Sequence, residues 1–258
     1  MTVFDPTMEQ VLAFCAEAPV ERVFLEDVAR RGLGRFVATG VNGALSALCH
    51  VGANIVPSGP GCDAFARSSV QSGVRMLIGE MGAVTELWEA ARPRLPRPRE
   101  DRPGQPVFAI REPPAPGGSA LRAATFADVP QLLPACAAAY ELELGVDPVA
   151  RDGEAFRWRT VAQIDEGRSW VWLEDGVVLF KAEASAWTNH AVQLQQVWVD
   201  PSVRGRGYGS RGLADLLRLL LRATPVVTLF VRAENSSAIA LYESVGMQRE
   251  LEFRSVLF

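Results

Sequence analysis

The chain has 258 residues, 48% hydrophobic and 22% charged, enough for one large or two modest domains whose cores need no disulfide or metal staple. Thirty acidic against 26 basic side chains give a formal charge of −4, which argues against general electrostatic affinity for nucleic acid. No stretch approaches the ~18 apolar residues that span a bilayer, and Met1-Thr2-Val3-Phe4-Asp5 shows no secretory signal, so the expectation is a cytoplasmic protein without a membrane partner.

Thr7 is placed to cap a helix running to about Ala18, and a second helix over about Glu21–Arg31 stops at Gly32. Phe36 to Thr39, a Gly40-Val41-Asn42-Gly43 turn and Ala44 to Val51 form a hairpin pattern, because Asn-Gly between apolar runs favours a tight turn. Asn54 to Pro57, a Ser58-Gly59-Pro60-Gly61 loop, a helix from Cys62 to Ser72, a strand over Val74–Ile78 and a helix over Ala83–Ala91 follow. From Arg92 to Gly118 proline is too dense for helix and predicts a linker. Val107-Phe108-Ala109-Ile110 inside it is expected as an edge or terminal strand.

The second part repeats that order. Leu121 to Ala124 predicts a strand, Asp128 to about Glu143 a helix, and Ser169–Leu173 with Val177–Ala186 a hairpin about Glu174-Asp175-Gly176. Val192–Val199 is a further strand, then come a helix from Gly207 to Arg222, a strand over Val226–Val231, a helix over Ser236–Val245 and a strand over Glu250–Phe258. The expected architecture is α/β, with an accessory domain over 1–112 and a second domain over 119–258. Cys15, Cys49, Cys62 and Cys136 lack CxxC spacing and only His50 and His190 stand beside them, so no metal site is expected and buried free thiols are.

The chemistry concentrates where the strand Val197-Trp198-Val199 ends and Asp200-Pro201-Ser202-Val203-Arg204-Gly205-Arg206-Gly207-Tyr208-Gly209-Ser210 opens a helix with Leu213, Leu216, Leu217 and Leu220 on one face. A helix N-terminus offers unpaired N–H groups and the positive end of its dipole. Glycines at 205, 207 and 209 let an anion approach the backbone, and Arg204 and Arg206 add charge. Together they read as a diphosphate cradle. Residues 207–212 also spell GxGxxG. A dinucleotide fold needs that motif in an initial βαβ unit with an acidic residue closing the second strand. Antiparallel hairpin signals precede it here, and Glu234 lies too far along.

Arg204-Gly205-Arg206-Gly207-Tyr208-Gly209 resembles the acyl-CoA loop of the GNAT superfamily of N-acetyltransferases. The stretch from Val227 through Asn235 and Leu241-Tyr242 to Gly246-Met247 resembles that family's second signature. The resemblance covers roughly 119–258 and implies a mixed, mostly antiparallel sheet flanked by helices. The first part resembles the uncharacterised N-terminal domain of some actinobacterial GNAT proteins, itself readable as a degenerate GNAT-like fold without the arginine–glycine loop.

The resemblance implies transfer of an acetyl group from acetyl-CoA to an amine by direct attack in a ternary complex. Val197, Trp198 and Val199 would line the pantetheine arm, Arg204 to Gly209 with Ser210 would hold the pyrophosphate, and Asn235 would bond the arm. Tyr242 would protonate the departing thiolate, a step open to a phenol of ordinary pKa about 10; its plainer reading is a packed aromatic. The strand carries Gln193, Gln195 and Gln196 where many members have an acid. Glu183 beside Lys181 is then either the general base or an exposed, lysine-paired strand residue. His190 is expected in an exposed loop. The first domain would supply part of the acceptor site or a homodimer surface. The competing reading is an acyl-CoA sensor with little turnover.

Overall fold

The computed structural model describes residues 2–70 and 73–258. The first half contains α1 (Met8–Ala16), α2 (Pro19–Arg30), β1 (Arg35–Val41), β2 (Ala44–Val51), β3 (Asn54–Ser58), β4 (Met76–Glu80), α3 (Met81–Ala91) and β5 (Glu100–Ile110). The second contains β6 (Arg122–Ala123), α4 (Val129–Leu144), α5 (Pro148–Asp165), β7 (Ser169–Glu174), β8 (Val177–Trp187) and β9 (Val192–Val199). It continues with α6 (Tyr208–Leu220), β10 (Val227–Phe230), α7 (Ser236–Ser244) and β11 (Gln248–Leu257).

Local chemistry explains most boundaries. Thr7 and Gln10 cap α1 reciprocally, each side chain accepting the other's backbone N–H. Asn42-Gly43 and Asp175-Gly176 all have positive φ, the geometry of two-residue turns that matches strand twist. α6 buries Leu213, Leu216, Leu217 and Leu220 along one face.

Three expectations are corrected. The helix expected over Cys62–Ser72 is a single 3₁₀ turn, Cys62–Ala66, and Ser72 lies outside the described residues. The 18-residue helix α5 was not expected. Only Pro148, Phe156, Thr160 and Ile164 of it are buried, and Asp152 breaks the helical geometry, so its apolar periodicity is weak. The apolar piece at 107–110 belongs to an 11-residue strand at the sheet's centre, not at an edge. Pro103 fits because Pro103-Gly104 forms a bulge between the pairs Arg102–Ser255 and Gln105–Phe253, with Gly104 at φ 66°.

The eleven strands form one sheet in the order β1-β2-β3-β4-β11-β5-β10-β9-β8-β7-β6. Within each half, one pair is parallel, β3 with β4 and β9 with β10. Each half sends its last strand into the other. β11 lies between β4 and β5, and β5 lies between β11 and β10, all antiparallel. The cores follow: Phe108 of β5 packs with Tyr242 and Met247, while Val256 of β11 packs with Leu77 and Trp88. The sheet is thus mostly antiparallel with helices on its faces, and the two halves run in a similar order, except that the first has no counterpart of β6 and has the 3₁₀ turn Cys62–Ala66 where the second has α6.

Residues 111–118 lack regular structure but are strapped to α6. Gly117 and Ser119 donate backbone N–H groups to Asp215 at 2.8 and 2.7 Å, and Arg218 donates to the Pro114 carbonyl. A second tie joins α2 to the other half. Buried Asp27 accepts from Arg168 at 2.7 Å, and buried Glu26 meets His190 Nδ1 at 2.9 Å. His190 is therefore anchored, not a free loop residue. All four cysteines are buried and unpaired.

Candidate active site

β9 and β10 pair only at Val192–Val227 and Gln193–Thr228, then diverge. β9 keeps its partner β8 through a bulge at Gln196, whose φ of 51° is left-handed. Val197, Trp198 and Val199 thereby face a gap in the sheet, and all three line a cavity of about 970 Å³. The cavity runs from the Arg204–Ser210 loop, past Asn235 and Tyr242, to Phe24, Val56 and Ile78 of the first half.

At one end stands the N-terminus of α6. Its first intrahelical bond runs from Arg211 N–H to Gly207 O, so the amides of Tyr208, Gly209 and Ser210 have no acceptor among the described residues. Gly207 caps the helix at φ 83°, a conformation that costs a side-chain-bearing residue energy. A Cβ on Gly209 would come within 3.2 Å of Val199. Arg204 lines the cavity and donates to Val199 O at 3.1 Å. Exposed Arg206 has no side-chain partner among the described residues, and neither its side chain nor Tyr208's belongs to the cavity wall. The Tyr208 ring stacks on Trp172 at 4.8 Å, leaving only its backbone to the cradle. Positive charge, free N–H groups and open backbone suit a diphosphate.

Asn235 caps α7 by accepting from Ala238 N–H at 3.1 Å, and its amide nitrogen has no partner among the described residues. Tyr242 is 6% exposed, with its ring edge-on to Phe108 at 5.6 Å. Its hydroxyl has no hydrogen-bond partner among the described residues. Burial, reinforced by the charge of Glu143, pushes the phenol well above its ordinary pKa, so it is held protonated.

Glu183 does not reach the cavity. It forms an ion pair with fully buried Lys181, and Cys136 Sγ lies 3.2 Å from the same ammonium. Burial works to depress the lysine, but Glu183 and Cys136 outweigh it and hold it above the usual value. Of the two readings of Glu183, the geometry favours the lysine-paired one, in a buried rather than an exposed residue.

Two carboxylates stand in the cavity wall: Glu21 of α2, which accepts from Ser58 Oγ at 2.6 Å, and Glu143 in the last turn of α4. Glu143 is an exposed residue at the cavity wall. Partial desolvation by the surrounding protein shifts its carboxyl above the usual range, against the pull of the Gln196 hydrogen bond and the charges of Arg102, Arg232 and Lys181. Gln196 donates to it at 3.4 Å and accepts from Lys181 at 3.5 Å. Arg102 (3.0 Å) and Arg232 both donate to the Glu143 carbonyl. Sequence reasoning passed over Glu143 as a helix end. The available signal was an acid in a final turn with no basic residue, the placement a helix dipole disfavours.

The first half has the counterpart gap, since β3 and β4 pair only at Asn54–Met76 and Ile55–Leu77. Its loop carries no cradle. Cys62 N–H donates to Glu86 at 2.8 Å, so a carboxylate of the protein's own already occupies that turn.

Comparison with known proteins gives two family-model matches. Residues 135–247 match the model described as Acetyltransferase (GNAT) family, and residues 34–132 match a domain of unknown function, DUF4081. Similar proteins include N-alpha-acetyltransferase RimI of Mycobacterium tuberculosis, 46% identical over 57 residues, covering 22% of this chain and 35% of that protein. Mycothiol acetyltransferase of Mycolicibacterium smegmatis is 34% identical over 116 residues, covering 36% of this chain and 39% of that one. The chain thus spans well under half the length of these relatives. Among solved structures, a GNAT-family acetyltransferase from Colwellia psychrerythraea covers 100% of both chains, with a TM-score of 0.60 at 11% identity, a likeness of fold. The C-terminal half of this chain thus matches the GNAT acetyltransferase family model over residues 135–247, and it shares its sheet with a segment that matches the DUF4081 model.

Proposed function

We propose that the protein transfers an acetyl group from acetyl-CoA to an amine by direct attack within a ternary complex. The observation that carries this reading is one continuous cavity, leading from the α6 cradle along the β9–β10 gap to the Tyr242 hydroxyl. Arg204, Gly205, Gly207, Gly209 and Ser210 would hold the diphosphate, joined by Arg206 at the mouth and the Tyr208 amide. The gap beside Val197, Trp198 and Val199 fits a slender arm that bonds as an added strand would. Asn235 supplies its amide to that arm. Tyr242 donates its proton to the leaving sulfur. The acceptor enters from the other end, over Phe24, Val56 and Ile78, so the N-terminal domain would shape acceptor choice.

Thermal-shift assays with acetyl-CoA, CoA, NAD and NADP, followed by thiol release with an amine panel, test the reading. Stabilisation by the two CoA forms with amine-dependent thiol release is expected. Stabilisation by NAD or NADP alone would overturn it, and CoA binding without thiol release would favour an acyl-CoA sensor.

A further inference from the structure

We infer that Glu143 is the base that takes the amine's proton, and that Arg102, reaching over from the N-terminal half, positions it. The inference rests on acetyl transfer in this cavity and supplies the group that the glutamines of β9 do not. Three observations carry it. Glu143 and Tyr242 line one cavity from two different helices. The Glu143 carboxylate is uncommitted: among the described residues its only side-chain partner is the Gln196 amide, whereas Glu183 is held by Lys181. And the turn that bears Glu143 is pinned from both halves. Arg102 of β5 and Arg232 after β10 donate to its carbonyl, and Arg102 is itself buried and anchored on Glu100 at 2.6 Å. Cations at a helix C-terminus offset the dipole that disfavours an acid there.

The step balances within these groups. The neutral amine nitrogen bonds to the thioester carbonyl carbon, and the carbon–sulfur bond breaks. The N–H proton goes to the Glu143 carboxylate, and the Tyr242 hydroxyl proton goes to sulfur. Protonated Glu143 then returns its proton through cavity water to the phenolate, restoring both groups. The order helps. Charged Glu143 discourages ionisation of Tyr242, and once it accepts the amine's proton that charge is gone, which makes the phenol a better donor as sulfur needs it.

The charged and titratable groups facing Glu143 are Arg102 on β5, Arg232 after β10, Lys181 on β8 and Tyr242 on α7, with Glu100 bound to Arg102. Their sum predicts an acidic limb in kcat/KM, since the base works only when ionised. The test measures that profile for the full chain, using thiol release with alanyl and seryl dipeptides, spermidine and glucosamine. Glu143→Gln is expected to lower kcat/KM by ~10²–10⁴-fold, flatten the limb and leave acetyl-CoA affinity unchanged. Arg102→Met, which removes a cation favouring the carboxylate, is expected to move the limb up by about one pH unit. Arg102→Lys should keep it near its original place. A purely structural role for Arg102 would change rate without moving the limb. Wild-type kcat/KM in Glu143→Gln, or an unmoved limb in Arg102→Met, would overturn the inference while acetyl transfer stands. A wild-type protein that binds acetyl-CoA but acetylates none of these amines would overturn the transfer reading and the inference together.

Discussion

Tyr242 illustrates how one side chain takes a chemical role from its surroundings. Its ring is fixed against Phe108, so Tyr242→Phe keeps the packing and removes only the hydroxyl. Turnover is expected to fall about 10²-fold, the low end for a general acid because a thiolate leaves partly unassisted. Acetyl-CoA affinity should stay constant, since the interaction is made only as charge develops on sulfur. Steady-state kinetics beside isothermal titration checks both, and wild-type turnover would reduce the tyrosine to packing. Gly207 is the complementary case. Space around it is open, so a side chain there would meet no clash, but its φ of 83° strains a β-branched residue. Gly207→Val is expected to distort the cradle and weaken acetyl-CoA binding several-fold in a protein with unchanged circular dichroism. Isothermal titration showing wild-type affinity would remove the cradle from cofactor binding.

Among the elements, α2 ties the halves together through buried charge. Burial pushes Glu26 upward, but hydrogen bonds from His190 and Arg30 outweigh it and hold its carboxyl below the ordinary range. A depressed folded value means stability that is complete above the unfolded pKa and lost as pH falls towards the folded one. Urea midpoints for wild type and Glu26→Gln between about pH 3 and 7 should converge at the acid end; parallel curves would show that Glu26 contributes no pH dependence. What was legible in the sequence followed the same division between local and distant causes. Asn42-Gly43 and Asp175-Gly176 impose their turns by backbone preference alone, and the Arg204–Ser210 loop and the Asn235–Tyr242 helix carry their chemistry in contiguous residues. Strand β5 was illegible because its prolines signal a linker until the partner that tolerates a bulge is known, and that partner lies in the other half. α5 lacked a periodic apolar face to announce it. Glu143 acquires its meaning only from Arg102, Gln196 and Tyr242, none of which neighbours it in sequence.

The whole molecule is one sheet with two exchanged strands, and that limits how it can be divided. A fragment of residues 119–258, the second domain expected from the sequence, would be a minimal CoA-binding unit only if the two halves folded separately. In the folded protein that fragment would lose β5, leaving β10 and β11 without the strand between them and Tyr242 without Phe108. Exposed strand edges of this kind invite aggregation. The fragment is expected to be insoluble or unfolded by circular dichroism, and a soluble, CoA-binding fragment would show that β5 is dispensable. For the intact chain, calorimetry should record a single cooperative transition, and Phe108→Ala should lower it as a unit, by about 3–5 kcal/mol for an aromatic removed from a core. Two separable transitions would mean that the halves keep independent sheets. The exchange also sets a schedule for biosynthesis. The slot between β4 and β5 is filled by β11, so everything from Arg111 to Leu257 must be translated before the first half can close. At ~5–20 residues per second that is a wait on the order of ten seconds, during which the nascent N-terminal half carries an open gap in its sheet and depends on the ribosome or a chaperone to keep other strands out.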